Sequence, residues 1–303
     1  MSSSILVLGA SGFIGRHLCE SIAKSGNPVI AATRSQAIFR QPGISNVVAP
    51  FDDPSHFSAL LDGCDAVIHA ASRSTPVSSA AQPQLDGNLK TTLALIEALQ
   101  YAPSCRVIFL SSGGTLYGDR ADPAREIDPL RPRSYHGAGK AAAEHFFHAW
   151  ATQYDGTAIL LRPSNIYGPG QSARNGFGII PTAFDCALHA KPLTIFDGES
   201  VRDYLYIDDF VALCHRALVT PIDRGAQVFN AASGEGISLD TLVDHIDAVT
   251  GQTIERVYQP SRLVDIHTIV ADPTAAKSQF DWFPSTSLEE GLRQTWHWFT
   301  TQA

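Results

Sequence analysis

Gly9-Ala10-Ser11-Gly12-Phe13-Ile14-Gly15 is the stretch whose reading decides the fold. It follows a short apolar run, Ile5–Leu8, and leads into Phe13, Ile14, His17, Leu18, Ser21 and Ile22 at helical spacing, a segment closed by Gly26. A strand, a glycine loop and a helix N-terminus in that order form a receptor for pyrophosphate. The glycines let the backbone approach the phosphates, and the helix start offers free N–H groups and positive dipole. A glycine-rich turn without a ligand is the alternative. The position directly after the first strand favours dinucleotide binding and makes Gly9, Ser11, Gly12, Phe13, Ile14 and Gly15 the candidate contacts.

Outward from that loop, strands and helices alternate. Val29–Ala32, Ala66–His69, Arg106–Ser111 and Ala158–Arg162 read as strands, and Asp53–Leu61, Asn88–Gln100 and Gly139–Tyr154 as helices. Nearly continuous apolar strands in this rhythm imply a parallel sheet covered on both faces, an α/β Rossmann-type doubly wound fold. The expected division is a dinucleotide-binding domain over residues 1–165 and a smaller C-terminal α/β substrate-binding region over 166–303. The strand at Gln227–Ala231 is a candidate to rejoin the first sheet. Further helices are expected at Asp208–Val219, Leu239–Thr250 and Pro273–Phe280, and from Ser287, where Ser-Leu-Glu-Glu forms a capping box.

Composition narrows the class. The 303 residues are 44% hydrophobic and 17% charged, with a net charge of −8 and no basic run, which argues against a nucleic-acid partner. Five cysteines lack a Cys-x-x-Cys pair, and eleven histidines follow no ligand spacing, so no metal is expected. Free thiols, a start without a basic leader and no apolar run of membrane length together point to the cytoplasm and away from a membrane.

The end of the second strand bears on the cofactor. It reads Ala31-Ala32-Thr33-Arg34-Ser35, without the acid that would bind an adenosine ribose. Arg34 suits a 2′-phosphate, which favours NADP, whereas stacking over the adenine would admit NAD as well. Asp52 and Asp53 are candidates for the adenine or for capping the next helix.

The segment Tyr135-His136-Gly137-Ala138-Gly139-Lys140 carries the chemistry. A tyrosine–lysine pair works when four residues separate the two, which leaves about 40° between them around a helix. Tyr135 and Lys140 are five apart, an offset of roughly 140°. His136 stands at the four-residue spacing.

Several stretches together carry a family resemblance. They are GASGFIG (9–15), CDAVIHAAS (64–72), NLKTTLALIEAL (88–99), RVIFLSSGGTLYGD (106–119), GAGKAAAE (137–144), LLRPSNIYGPGQ (160–171), GESVRDYLYIDDF (198–210), VFNAASGEGISL (228–239) and SLEEGLRQTWHW (287–298). The chain resembles the extended short-chain dehydrogenase/reductases, in the nucleotide-sugar epimerase/dehydratase group typified by UDP-glucose 4-epimerase. The resemblance implies that Asn165 and Arg202 hold a nucleotide-sugar diphosphate. It also implies that His69-Ala70-Ala71-Ser72, Lys140 and Pro163 border the cofactor, with Ala70 and Ala71 in contact. Asn88 would be structural. A homodimer would form through the helices near 88–100 and 139–154, with Phe146, Phe147 and Trp150 at that surface or in the core.

Two positions depart from the family pattern. Gly113 stands where a Ser or Thr would bond the reacting hydroxyl, which makes Thr115 the first substitute and Ser112 the second. His136 stands where the tyrosine base belongs. An imidazole, near 6.5 in its ordinary state, needs less help than a phenol near 10 to act as a base at neutral pH. Either Tyr135 is rotated into place by an irregular helix start, or His136 is the base, or the protein binds without turnover. The expected activity is hydride transfer at C4 of a nucleotide-activated hexose, as an epimerase or as an NADPH-dependent 4-keto-sugar reductase. The alternative from another class is a non-catalytic NADP- or sugar-nucleotide-binding protein.

Overall fold

The computed structural model describes residues 4–74, 80–173 and 178–302. The first part runs β1 (Ser4–Leu8), α1 (Phe13–Lys24), β2 (Val29–Thr33), β3 (Ile44–Val48), α2 (Ser55–Leu61), β4 (Cys64–His69), α3 (Gln82–Gln84), α4 (Lys90–Leu99), β5 (Arg106–Leu110), α5 (Gly113–Leu116), α6 (Tyr135–Tyr154) and β6 (Thr157–Pro163). The second runs β7 (Asn165–Tyr167), α7 (Ile179–His189), β8 (Leu193–Phe196), β9 (Val201–Tyr206), α8 (Ile207–Val219), β10 (Gly225–Ala231), β11 (Gly236–Ser238), α9 (Leu239–Thr250), β12 (Arg256–Gln259), β13 (Thr268–Ile269), α10 (Thr274–Phe280) and α11 (Leu288–Gln302). No helix among the described residues is long and apolar enough to cross a membrane.

Seven parallel strands form the main sheet in the order β10-β6-β5-β4-β1-β2-β3. Alternation along each strand explains why the strands are apolar throughout. Ile5, Val7, Ile108, Leu110, Ile159 and Leu161 face one hydrophobic cluster, which also takes Leu18 from α1, Leu213 from α8 and Leu292 from α11. Leu6, Leu8, Val107, Phe109, Ala158 and Leu160 face the other, with Phe57, Leu95, Phe147 and Trp150 from α2, α4 and α6. Each large side chain so buried contributes on the order of 1.5–3 kcal/mol.

The chain winds from β1 through β2 to β3, then returns to β4 on the other side of β1. The carboxyl ends of β1 and β4 therefore flank the switch point where such sheets bind ligands. The strand expected at 227–231 pairs along all of β6, from Gly225 opposite Thr157 to Ala231 opposite Pro163. A smaller sheet centred on β9 carries β7, β11 and β13.

Two helix starts differ from the sequence expectation. The helix expected from Gly139 begins at Tyr135, because the Ser134 side chain accepts from Gly137 N and caps it. The cap, together with burial of the face carrying His136, Lys140 and Glu144, offsets the poor helix propensity of Gly137 and Gly139. The helix expected from Asn88 begins at Lys90 and is preceded by a π turn over Leu85–Leu89.

Candidate functional site

The glycine loop packs against the end of β4. Gly9 has φ +80°, and a Cβ there would lie 2.7 Å from the backbone N and Cα of Ala71. Gly15 abuts the Gly9 carbonyl so closely that no side chain fits. Gly12 precedes the first residue of α1, with no side chain over the free amides. Leu8, Gly9, Ser11, Gly12, Ala70, Ala71 and Ser72 line one cleft, together with Ala32, Thr33, Arg34, Phe51, Arg73, Gly87 and Thr91. Side chains at Gly9 and Gly15 would break the close packing that forms this cradle, and an uncapped helix start opens into it. The residues present thus fit a dinucleotide.

Arg34 lies in this cleft with Arg73, a residue the sequence reading passed over because no strand end marks it. Partial burial and the neighbouring Arg73 guanidinium lower the pKa of Arg34. Asp52 does not line the cleft. It pairs with Lys90 at 3.2 Å, and Phe51 of the same loop faces the cleft instead. Asp53 accepts from Ser55 N at 2.9 Å and so closes the turn into α2. His69 is buried, with Nε2 on Thr92 Oγ1 at 3.0 Å, and burial followed by the Lys140 charge brings its pKa down to about 3.

The first two turns of α6 bring His136, Lys140 and Glu144 onto one buried face. Lys140 donates to the Leu110 carbonyl at 2.6 Å, with its ammonium 4.7 Å from the centre of the Phe109 ring. Burial lowers its pKa to about 8, against an opposing pull from Glu144. His136 is 8% exposed, and burial with the nearby Lys140 charge lowers its pKa to about 4. Tyr135 is 50% exposed and makes no hydrogen bond to a described residue. The helix is regular here, so the offset read from the sequence stands and Tyr135 is not turned towards Lys140.

Beneath Lys140, Glu144 takes Arg162 Nη2 at 2.6 Å and Arg162 Nε at 3.0 Å, and accepts from Ser111 Oγ at 2.5 Å. Arg162 also donates to the Tyr117 hydroxyl at 2.8 Å, which in turn donates to Asn230 Oδ1 at 2.6 Å. This cluster joins α6, β6 and β10.

A cause for Gly113 is visible. A Cβ at that position would sit 2.8 Å from the Arg162 carbonyl and 3.1 Å from that of Pro163, so a serine does not fit. Pro163 is thereby placed at the floor of the α5 turn. Thr115 donates to Ser112 Oγ at 2.8 Å, which leaves the Ser112 proton free for another acceptor. A Cβ at Gly137 would lie 2.6 Å from the Thr115 carbonyl, so the start of α6 rests directly on this turn.

Asn165 lies beside the same turn, about 4 Å from where a Gly114 Cβ would be, and donates to the Asp203 carbonyl at 2.9 Å. Arg202 donates to the carbonyls of Val201, Ile266 and His267, which fixes its guanidinium, and burial lowers its pKa. Phe147 and Trp150 lie in the core, while Phe146 is exposed.

Residues 5–232 match the model of the NAD dependent epimerase/dehydratase family. A UDP-glucose 4-epimerase of Mycolicibacterium smegmatis is 30% identical, over 98% of this chain and 99% of its own length. A dTDP-4-dehydro-6-deoxyglucose reductase of Escherichia coli is 27% identical, over 96% of this chain and 95% of its own. The Thermus thermophilus UDP-glucose 4-epimerase, solved in complex with NAD, superposes with a TM-score of 0.90 at 26% identity, covering 99% of this chain and 100% of that one. The glycine cradle, the sheet order and the family model agree: the chain belongs to the NAD dependent epimerase/dehydratase family.

Proposed function

We propose that the protein catalyses reversible oxidation at C4 of a nucleotide-activated hexose, with His136 as the acid–base residue. The observation that carries this is the buried His136–Lys140 pair, one helical turn apart, on a helix start that rests on the Ser112–Thr115 turn. The chemistry a bound nicotinamide supplies here is reversible hydride transfer. Gly9, Ser11, Gly12 and the α1 amides hold its pyrophosphate, and Ala70, Ala71 and Lys140 border its ribose. Ser112 offers its proton to a sugar oxygen, and His136 takes the proton of the C4 hydroxyl. Arg202, held by three carbonyls, and Asn165 bind the diphosphate.

NADP is the cofactor this reading favours, because two guanidiniums share the cleft at the end of β2 and no carboxylate among the described residues lines it there. That feature supports a second reading, a 4-keto-sugar reductase, whose turnover exchanges the cofactor each cycle. The exposed Phe146 and Tyr154 on α6 support a homodimer through that helix.

The test is to mix the protein with oxidised NADP or NAD and UDP-hexoses and follow reduced nicotinamide by absorbance. A signal that rises and then decays, leaving a C4-inverted sugar, identifies an epimerase. NADPH consumption with a 4-keto sugar identifies the reductase. Loss of turnover in His136→Phe but not in Tyr135→Phe supports the assignment, and the reverse pattern sinks it.

A further inference from the structure

His136 is not an isolated buried imidazole. Its Nδ1 lies 2.9 Å from Ser74 Oγ. Ser74 Oγ is also 2.6 Å from Gln84 Oε1 and 2.6 Å from Asn88 Nδ2. Asn88 Nδ2 reaches Gln84 Oε1 at 2.9 Å, and Asn88 Oδ1 accepts from the backbone N–H of Arg73 at 2.8 Å. Ser74, Gln84, Asn88 and His136 are all buried. The π turn over Leu85–Leu89 sets Gln84 and Asn88 side by side, and Gln84 packs over Gly139 of α6.

The protons in this network can be placed one by one. The Arg73 N–H can only donate, so Asn88 must present Oδ1 to it and its amide nitrogen to the other side. That nitrogen donates to Gln84, so Gln84 must present Oε1. Two oxygens 2.6 Å apart, Ser74 Oγ and Gln84 Oε1, need a proton between them, and only Ser74 can supply it. The Ser74 hydroxyl proton is then spent on Gln84. His136 Nδ1, 2.9 Å from an oxygen with no proton left to give, must carry its own. In neutral imidazole the other nitrogen is then bare. His136 Nε2 makes no hydrogen bond to a described residue.

We propose that Ser74, Gln84 and Asn88 are positioning residues that lock His136 as the Nδ1–H tautomer, so that Nε2 is the atom that accepts the substrate proton. This inference rests on the function proposed above. The step balances: the hydroxyl O–H breaks, the proton joins the Nε2 lone pair, and the product is an imidazolium. Its Nδ1–H still donates to Ser74, so the network serves both charge states unchanged. The partner chain ends in a neutral amide rather than a carboxylate. It therefore orients the ring without holding the proton, as suits a group that returns the proton within one cycle.

The experiment is a long-range proton–nitrogen correlation spectrum of the 15N-histidine-labelled protein at neutral pH, with His136 identified by its absence in His136→Gln. The expected spectrum shows a protonated Nδ1 and an unprotonated Nε2. The opposite tautomer, or averaged nitrogens, overturns the inference even if the enzyme turns over. The expected tautomer in a protein that never moves hydride overturns the proposed function and not the proton assignment. Ser74→Ala is expected to average the two nitrogens and lower kcat by roughly 10- to 100-fold, with KM little changed. Ser74→Thr should restore both. A Ser74→Ala protein that keeps the wild-type nitrogen signature also overturns the inference.

Discussion

Replacing Lys140 by methionine should abolish turnover and at the same time change the stability of the fold in a pH-dependent way. Lys140 is 7% exposed, and burial takes its pKa from 10.5 to about 8. A fall of about 2.5 pH units corresponds to roughly 3 kcal/mol at about 1.4 kcal/mol per unit. Below pH 8 the native protein carries this cost in full, because the buried amine is charged in both states. Between pH 8 and 10.5 the native state binds fewer protons than the unfolded chain, so wild-type stability gains from this group as pH rises. Methionine keeps the bulk and removes the charge. It also strips the Leu110 carbonyl of its donor, a loss of about 1–3 kcal/mol that does not vary with pH. Urea unfolding of both proteins from pH 7 to 10.5 separates the two effects. The stability difference, variant minus wild type, should shrink by about 3 kcal/mol across that range. Parallel stability curves would refute the idea that the amine is held in the fold against its own solvation.

Other perturbations follow from the same site. With His136 pulled down to about 4, kcat/KM should keep its value well below pH 6.5 and fall only as pH approaches 4; an acid limb at the ordinary histidine value contradicts the burial argument. The same depression removes stability as pH falls from 6.5 towards 4, because the unfolded chain takes up that proton first. Gly113→Ser, which recreates the family's hydroxyl, should destabilise by about 1–3 kcal/mol in thermal melts through overlap with the Arg162 carbonyl, and should not raise activity. Arg34→Ala should raise the KM for NADP roughly 10- to 100-fold and leave that for NAD within a factor of about two, as expected from losing a charge-assisted hydrogen bond. Equal effects on both cofactors in initial-rate kinetics would remove the 2′-phosphate role.

Much of this was legible before the structure. The loop from Gly9 to Gly15 could be read because its glycines answer to backbone sterics, which one sequence displays in full. The His136 register was legible for a similar reason, since helical spacing depends only on counting. Other features depend on contacts between segments far apart in the chain. Gly113 looked like a lost hydroxyl and proved to be a close approach to the backbone of β6. Ser74 and Gln84 carry no motif, and the fold alone brings them to His136. Asp52 could be read only as an adenine contact or a helix cap, and its pairing with Lys90 of α4 had no local signal. Phe51 and Arg73 went unnoticed because no local rule marks a residue as facing a cleft built from three loops.

The pairing of β10 with β6 also constrains how the protein is made. Residues 225–231 cover the outer edge of β6, and Asn230 completes the chain that runs through Tyr117 and Arg162 to Glu144. While a ribosome is still making the residues before Gly225, the first six strands expose an unpaired edge, and Arg162 lacks the far end of its polar network. Such an edge is open to pairing with another chain. The sheet gains its seventh strand only when roughly three quarters of the chain has been made. Nascent chains stalled before Gly225 should therefore stay protease-sensitive and aggregation-prone, and those extended past Ala231 should acquire resistance in a single step.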